Sequence, residues 1–444
     1  MKAVAMSDYI YMLESHLSTD QNRVVEEVQA AAGQANVNLF LTGGAMRDML
    51  AGFRIRDLDF SVEGNAPKVA KAVSDRSGAK IVSLDENRKS VELQFSSGVT
   101  AQIAMSRQEK YARAGAKPQV AAATIQEDLR GRDFTCNAIA LSLNKASRGL
   151  LLDPMNGLAD IERRELRLTN AYGLYDDPSR LLRLVRFRAR LGFTVEERTQ
   201  MQVANAREAE VEKLIPPRAF GEELKRISAE DNPAEIMKAL EEANMVALFS
   251  PALAGAKANP HGLAKFEKLA RMFPDEPRIR AARLGPFFYV LAEKLNPKEK
   301  QALIKATEMR KPEVDAWQKL ESRSKKLETA LRSARIRKAS QVYFLVAGAA
   351  PDEVMFVLYH SALKPVQERL RNYFQKYLLA IQEVTPEEWA AVDAKAGARR
   401  AKARDEFIAD RLDRRVRKPA PPPPPPPPIV EAPRSAIRGR GPMV

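Results

Sequence analysis

The sequence predicts an α+β head, a small mixed sheet with helices, followed by an all-helical neck, body and tail. Short apolar-alternating runs separated by turn residues lie between residues 37 and 105, around one helical stretch, which is typical of a compact α+β domain. From Asp176 almost to the end the pattern is helical, with breaks at prolines. At 444 residues the chain is long enough for two to four domains.

Composition along the chain predicts five regions. They are an N-terminal helix at 1–36, the head at 37–145, a helical neck at 146–230, a helical body and tail at 231–395, and a basic, proline-rich, disordered tail at 396–444. The eight prolines of 421–428 favour polyproline II. Residues 395–444 contain 13 Lys/Arg and 5 Asp/Glu, so +8 of the net charge of +15 lies there. A basic balance favours polyanionic partners, nucleic acid first, over a merely soluble basic surface.

Several function classes are disfavoured by composition. No apolar run reaches the length of a membrane span, and the N-terminus lacks the apolar core of a secretory signal. A single cysteine, Cys136, fits a reducing compartment. We therefore expect a cytoplasmic protein with no membrane partner and no obligate protein partner. The three histidines, each without an adjacent aspartate, leave little for a zinc site or a His-Asp phosphohydrolase module.

The first elements follow from local pattern. Residues 7–35 predict one amphipathic helix and a loop. Residues 39–63 then predict a strand, a turn at Gly43 and Gly44, a short helix and a second strand. Because the two glycines follow a strand and open a helix, their backbone N–H groups can hold an anion, although a double glycine is more often only a turn.

The second strand, Ile55–Val62, is predicted to place two carboxylates side by side. Side chains alternate along a strand, so Asp57 and Asp59 share one face while Leu58, Phe60 and Val62 share the other. Like charges so close raise each other's pKa unless a cation intervenes, and Mg²⁺ suits such a pair. The common alternative for Asp-x-Asp is a solvated strand face. An anion site beside a metal pair indicates a nucleoside triphosphate and metal-assisted phosphoryl chemistry.

The remainder of the head predicts further short elements. They are a helix at 66–77, strands at 80–83, 90–95 and 100–105, a mobile polar loop at 106–126, a helix beginning at Glu127, and a turn leading into a helix at 152–160.

A second polar constellation lies at 176–187. Pro178 suits the first turn of a helix, and Asp176 and Asp177 suit its positive end. At about 100° per residue, Asp177 and three arginines spiral across half of the helix surface, opposite Leu181, Leu182 and Val185. The arginines are Arg180, Arg183 and Arg186. Guanidinium groups pair with phosphate, and Asp with Arg can match the edge of a base; a salt-bridged surface helix is the alternative.

Five blocks in order resemble the class II nucleotidyltransferases, the family of tRNA CCA-adding enzymes and bacterial poly(A) polymerases. The first block is 43–59; with the preceding residue 42 it begins Thr-Gly-Gly-Ala-Met-Arg-Asp, and it ends in Arg-Asp-Leu-Asp. The other blocks are 131–138, 153–160, 176–193 and, more loosely, 215–227. They span a little under half of the chain.

The resemblance implies roles for residues of these blocks. Asp57 and Asp59 would be catalytic and would hold Mg²⁺. Nucleotide contacts would come from Gly43, Gly44, Arg47, Arg132, Asp133, Asp177, Arg180, Arg183 and Arg186. Among these, Arg132 and Asp133 resemble ribose-recognising residues, and Asp177 and Arg180 resemble the protein template that reads the base of CTP or ATP. The RNA 3′-OH would attack the α-phosphate and release pyrophosphate, while the helical body and tail hold the tRNA acceptor arm.

The chain also departs from the family pattern. Relatives commonly have an acidic residue where Gln102 stands, as a third carboxylate near the metals; Glu92 on the preceding strand is a candidate to compensate. Asp176 replaces the usual Glu of the base-reading motif, and Gly131 replaces the first of a usual double Arg.

Three activities remain open. The first is addition of CCA, or part of it, to tRNA from CTP and ATP, favoured by residues 109–118. The second is poly(A) addition to RNA, favoured by Ile215-Pro-Pro217 and the basic tail. The third is a catalytically impaired RNA-binding homologue, favoured by Gln102.

Overall fold

A computed structural model describes residues 6–396 and 399–415 of the chain. The chain divides into two compact units. Of the described residues, one unit contains those up to 330 together with 349–362, and the other contains 331–348 and those between 363 and 415. The five regions expected from composition stay predictions.

The first unit begins with two helices and continues into a mixed sheet with interspersed helices. Up to residue 166 its elements are α1 (Met6–His16), α2 (Thr19–Gln34), β1 (Asn38–Thr42), α3 (Gly43–Leu50), β2 (Leu58–Glu63), α4 (Ala66–Ser77), β3 (Lys80–Asp85), β4 (Ser90–Gln94), β5 (Thr100–Met105), β6 (Arg107–Lys110), β7 (Gln119–Ala122), α5 (Ile125–Arg130), β8 (Ala140–Ser142), β9 (Leu151–Leu152), α6 (Gly157–Arg163) and β10 (Glu165–Leu166).

The main sheet has seven strands in the order β3-β4-β5-β2-β1-β8-β9. Strands β2 and β5 run parallel, and the other neighbouring pairs run antiparallel. Leu58, Phe60 and Val62 are at most 1 % exposed and join the core shared with α2 and α4, which confirms the predicted apolar face. The opposite face of β2 therefore carries the polar side chains, beginning with Asp59.

Three local predictions were wrong in detail. Residues 6–34 form two helices, because Ser18 caps α2 in a capping box with Gln21. Strand β2 begins at Leu58, so Asp57 precedes the strand. The segment predicted to be a mobile loop forms the antiparallel hairpin of β6 and β7.

Beyond β10 the residues that the structure describes, up to 415, are almost entirely helical, as predicted. Its elements are α7 (Gly173–Asp176), α8 (Arg180–Leu191), β11 (Thr194–Val195), α9 (Glu197–Glu208), α10 (Pro217–Ala229), α11 (Pro233–Glu242), α12 (Val246–Phe249), α13 (Pro260–Ala270), α14 (Pro277–Ala282), α15 (Leu284–Ala292), α16 (Pro297–Ala306), α17 (Lys311–Gln318), α18 (Leu320–Arg332), α19 (Ala339–Ala347), α20 (Pro351–His360), α21 (Lys364–Asn372), a π-helical turn (Tyr373–Tyr377), α22 (Leu378–Gln382), α23 (Pro386–Ala396) and α24 (Arg400–Arg415). Most predicted proline breaks coincide with helix starts, where the missing N–H costs nothing.

The second unit is built from helices α19 and α21–α24. Helix α24 packs against α19 and α23, and Asp413 accepts hydrogen bonds from the backbone N–H and hydroxyl of Ser340, each at 3.0 Å. Part of the region predicted as a disordered tail is therefore helical. The proline run at 421–428 and the rest of that tail lie outside the described residues. Across residues 6–396 and 399–415 no single helix is long and apolar enough to cross a membrane; one bent pair, Ala339–Ala347 with Pro351–His360, could do so by length and composition only.

Candidate active site

The turn between β1 and α3 is held close to the carboxylate of Asp59. Gly43 has φ +64°, and a Cβ at Gly43 or at Gly44 would lie 3.3 Å from Asp59 Oδ2. The Gly44 N–H donates to Asp59 Oδ2 at 3.2 Å. The prediction of free N–H groups at this turn is therefore wrong at Gly44, because a side chain of the neighbouring strand accepts that hydrogen bond. A Cβ here would make a tight contact with the Asp59 carboxylate, so glycine eases the approach.

The two predicted catalytic aspartates face different surroundings. Asp57 is exposed and accepts a hydrogen bond from the Thr100 hydroxyl at 2.8 Å. Burial and the nearby Asp57 carboxylate raise the pKa of Asp59 to about 6, against the opposing effects of Arg132 and the Gly44 N–H. The two carboxylates are thus close enough to repel each other, as expected from their spacing.

This pair fits a divalent cation, which would relieve the repulsion through oxygen ligands. Over the described ranges, no group of three or more His, Cys, Asp or Glu side chains is arranged to hold a metal ion. The register explains why: Gln102 stands beside Asp59, and Glu92 follows on the next strand. The Ser83 hydroxyl donates to Glu92 at 3.1 Å, on the side away from Asp59. The metal ligands available are therefore the two aspartates.

Arg132 and Asp133 connect the sheet to the helices that follow. Arg132 donates to Asp128 at 2.7 Å and to the Ser61 hydroxyl at 3.0 Å, on the same sheet face as Asp59. Burial raises the pKa of Asp133, but Arg183 and the Asn137 amide more than offset this and hold the pKa at about 2. Asp133 is therefore ionised at neutral pH, beside Arg183 and Asn137.

Arg183 links Asp133 to Asp177 at the start of α8. Its guanidinium donates to Asp133 Oδ2 at 3.0 Å and pairs closely with Asp177. Ser179 donates its backbone N–H and its hydroxyl to Asp177 at 3.1 and 2.5 Å. Burial alone would raise the pKa of Asp177, and Arg183 with Ser179 lower it overall. Three residues predicted for nucleotide binding are thus brought together in one charged group that is still partly exposed.

Arg180 is placed differently from the sequence expectation. It donates to the backbone carbonyls of Arg132 and Gly131 at 3.1 and 2.9 Å and is 6 % exposed. A Cβ at Gly173 would lie 2.7 Å from Arg180 Nη1, so that glycine makes room for the guanidinium. Arg180 therefore supports the backbone that presents Arg132, instead of forming the predicted row with Arg183.

Arg47 and Arg186 are buried and paired within the protein, so the nucleotide contacts expected of them stay predictions. Arg186 is 4 % exposed and donates to Glu223 at 2.6 Å and to Glu230 at 3.1 Å. Arg47 is 3 % exposed and is held by Asp48 and Asn137, each at 2.7 Å. Both side chains therefore have buried hydrogen-bond partners, which join α3 to Asn137 and α8 to Glu223 of α10.

The β6–β7 hairpin carries a charged cluster around Glu109 that was not predicted from the sequence. Glu109 accepts from Arg107, Arg88 and the Tyr111 hydroxyl at 2.8, 3.0 and 2.6 Å. Burial raises the pKa of Glu109, but Arg88 and Arg107 outweigh it and lower the pKa to about 2. Asp177 contributes to raising the pKa of Tyr111, so the hairpin lies within electrostatic reach of α8. Residues 107–110 are all polar and show no alternation, so the sequence offered no signal for this strand.

Residues 39–167 match the family model described as the Poly A polymerase head domain. Together with the fold, this match confirms the resemblance of the head to the class II nucleotidyltransferases.

Similar proteins include two that are named as tRNA nucleotidyltransferases. The chain is 33 % identical over 239 residues to the A-adding tRNA nucleotidyltransferase of Halalkalibacterium halodurans, covering 53 % of this chain and 56 % of that protein. It is 35 % identical over 206 residues to the CC-adding tRNA nucleotidyltransferase of Deinococcus radiodurans, covering 46 % and 54 %. The chain spans about half of the length of these relatives.

The fold is shared with solved structures over most of the chain. A CCA-adding enzyme in its apo form II superposes with a TM-score of 0.53 at 22 % identity, covering 92 % of this chain and 95 % of that one. This similarity confirms the predicted α+β head followed by helices.

Proposed function

We propose that this chain is a template-independent RNA nucleotidyltransferase that adds CCA, or part of it, to tRNA 3′ ends from CTP and ATP and releases pyrophosphate. The observation that carries the proposal is the pair Asp57 and Asp59, with Asp59 beside the glycine turn. Two facts support it: Arg132 donates to Ser61 on the sheet face that carries Asp59, and the names of similar proteins include both A-adding and CC-adding tRNA nucleotidyltransferases.

The chain's own residues would divide the work as follows. Asp57 and Asp59 would hold Mg²⁺, which when bound supplies positive charge at the reacting oxygens. Arg132, partly exposed beside Asp59, would contact the ribose or phosphates of the nucleotide. Gly43 and Gly44 lack a Cβ, so the triphosphate would be able to approach this turn closely while the Gly44 N–H stays with Asp59.

Base selection would rest on the charged group of Asp177 and Arg183, with Arg180 positioning it. In that group Ser179 orients the Asp177 carboxylate and Asp133 orients the Arg183 guanidinium, so the positions of both groups are set before the nucleotide enters. A preoriented donor and acceptor can match the edge of a base. Arg180 would act indirectly, through the backbone of Gly131 and Arg132.

An incorporation assay tests this proposal. Purified protein with Mg²⁺ would be given tRNA lacking its last three nucleotides, tRNA ending in CC, or an unstructured RNA, each with CTP, ATP or both. Addition to tRNA that stops at or before CCA supports the proposal and distinguishes complete from partial enzymes. Long adenosine tails on either RNA would replace it with a poly(A) polymerase.

A catalytically impaired RNA-binding protein is the second candidate, and Gln102 is the observation that favours it. The amide stands in register beside Asp59, where a carboxylate would complete a three-acid site. No incorporation, with RNA still bound, would support this candidate. Gln102→Glu would then be the variant to assay, since recovery of incorporation would assign the defect to that position.

A further inference from the structure

Strand β3 is an open edge of the main sheet. Among residues 6–396 and 399–415 it pairs with β4 alone. Its apolar side chains are unusually accessible: Ile81 is 51 %, Val82 56 % and Leu84 47 % exposed. An open edge with apolar side chains is a template for pairing with another strand.

A β-bulge sets which side chains of β3 share a face. Lys80, Ser83 and Asp85 oppose alternate residues of β4, so they lie on the face of the sheet that carries Asp59. Ile81 and Leu84 oppose the buried Leu93 and Val91, so they lie on the core face. Val82 is the additional residue of the bulge.

This arrangement is self-complementary. If two β3 strands pair antiparallel about a two-fold axis between Val82 and Ser83, Lys80 of each copy lies opposite Asp85 of the other on one face. Ile81 of each copy then lies opposite Leu84 of the other on the core face. In a regular strand, residues an odd number of positions apart, such as Lys80 and Asp85 or Ile81 and Leu84, point to opposite faces. The bulge at Val82 puts the members of each pair on one face, which this register requires.

We propose that β3 is a self-association edge, at which a second copy of this chain adds its own β3 in the antiparallel register Lys80–Asp85 and Ile81–Leu84. The two ion pairs form at the ends of the paired segment, and the four apolar side chains form a cluster between them. A two-fold symmetric, self-complementary patch is what a homodimer requires. Opposite charges and apolar pairs directly across strands stabilise such pairing.

The association should be weak. A six-residue strand pair offers less than the roughly 800 Å² per partner of a standard interface, so we expect a dissociation constant on the order of 100 µM. Because a two-fold axis normal to the sheet preserves its faces, both copies would present Asp59 on the same side of a continuous sheet. The inference is independent of the proposed function.

Sedimentation equilibrium of the full chain between about 1 and 500 µM tests the proposal. The average mass should rise toward that of a dimer. Lys80→Glu places a carboxylate opposite Asp85, and we expect it to weaken association about tenfold or more. Asp85→Lys should do the same through paired lysines. An equimolar mixture of the two variants restores opposite charges at both ends, so a mixed dimer of near wild-type affinity is expected.

Asp85 Oδ1 also accepts the backbone N–H groups of Asn87 and Arg88, each at 2.9 Å, so Asp85→Lys could loosen the β3–β4 turn. Thermal melting controls for this, and Leu84→Ser provides a second disrupting variant away from the turn. A chain that remains monomeric at every concentration would overturn the proposal. So would a dimer unaffected by both Lys80→Glu and Leu84→Ser, or β3 amides protected from hydrogen exchange independently of concentration, which would mean that another segment of the same chain covers the edge.

Discussion

Asp59 is the side chain of the candidate site that interacts with both its negative and its positive groups. It lies on the sheet face opposite the core, receives the Gly44 N–H, and is close to both Asp57 and Arg132. Its raised pKa reflects burial and a like charge that a cation would neutralise. Two predictions follow from this position.

Replacing Asp59 with alanine should abolish nucleotide incorporation while RNA binding survives. One of only two available metal ligands is lost, whereas no phosphate-binding cation is removed, so we expect incorporation to fall by a factor of about 10³ or more. The measurement is single-turnover incorporation alongside an RNA filter-binding titration. Undiminished incorporation in this variant would refute the assignment of Asp59 as a metal ligand.

Replacing Asp59 with asparagine should stabilise the metal-free protein above about pH 6. The pKa of the folded state, about 6, lies above the ordinary value of 3.8, so ionisation of Asp59 reduces the free energy of unfolding as the pH rises between these values. The amide removes that cost, and with partial exposure taken into account we expect a gain of about 1–2 kcal/mol near pH 8 and almost none near pH 4. Urea unfolding in EDTA measures it. Equal effects at both pH values would contradict the electrostatic explanation.

At the scale of elements, helix α8 combines two roles that its sequence does not separate. Its N-terminal end presents Arg183 to Asp133 and Asp177, with the Arg183 side chain 23 % exposed. One turn later, the side chain of Arg186 is 5 % exposed between Glu223 and Glu230. The first arginine faces the site, and the second holds α8 to the end of α10.

The two arginines form a matched pair for mutagenesis. Arg186→Met should leave Glu223 and Glu230 with fewer cationic partners in a buried setting and lower the free energy of unfolding by about 3 kcal/mol. Arg183→Met should cost about half of that or less, but raise the KM for the nucleotide about tenfold, because a group that orients Asp177 is lost. Chemical unfolding and steady-state kinetics measure the two effects. The assignment would be reversed if Arg186→Met changed the nucleotide KM without loss of stability.

At the scale of the whole molecule, charge is distributed unevenly. Residues 395–444 contribute +8 of the net +15, and residues 416–444 of this segment lie outside the described residues. A terminal basic segment can add phosphate contacts without being part of a packed core.

Deleting residues 419–444 should leave cooperative unfolding unchanged and weaken RNA affinity mainly at low salt. The deletion removes three arginines and one glutamate, so only a few phosphate contacts would be lost. Because salt screens such contacts, their loss should matter most at low salt. RNA titrations at low and physiological salt, with a thermal melt as control, measure this. Loss of the cooperative melt would show that the tail is structural.

The sequence by itself determined the elements whose signals are local. The apolar alternation around Leu58 and Phe60 specified the buried face of β2, and the helix at 66–77 was predicted with its observed bounds. The ordered motifs led to the head family, because each depends on short spacings along the chain. Strand alternation predicted the side of β2 on which Asp59 lies, whereas Asp57 precedes the strand and its role as a partner of Asp59 stays a prediction.

Only the tertiary structure decided which polar side chains remain available. Arg183 and Arg186 are indistinguishable by helical spacing, and their fates differ because Glu223 and Glu230 reach Arg186 from α10 and its end. The Gly44 N–H is occupied because folding brings Asp59 of another strand beneath it. Charged and hydrogen-bonding groups become structural or functional according to partners that are distant in sequence, and such partners are set by packing, which local periodicity does not encode.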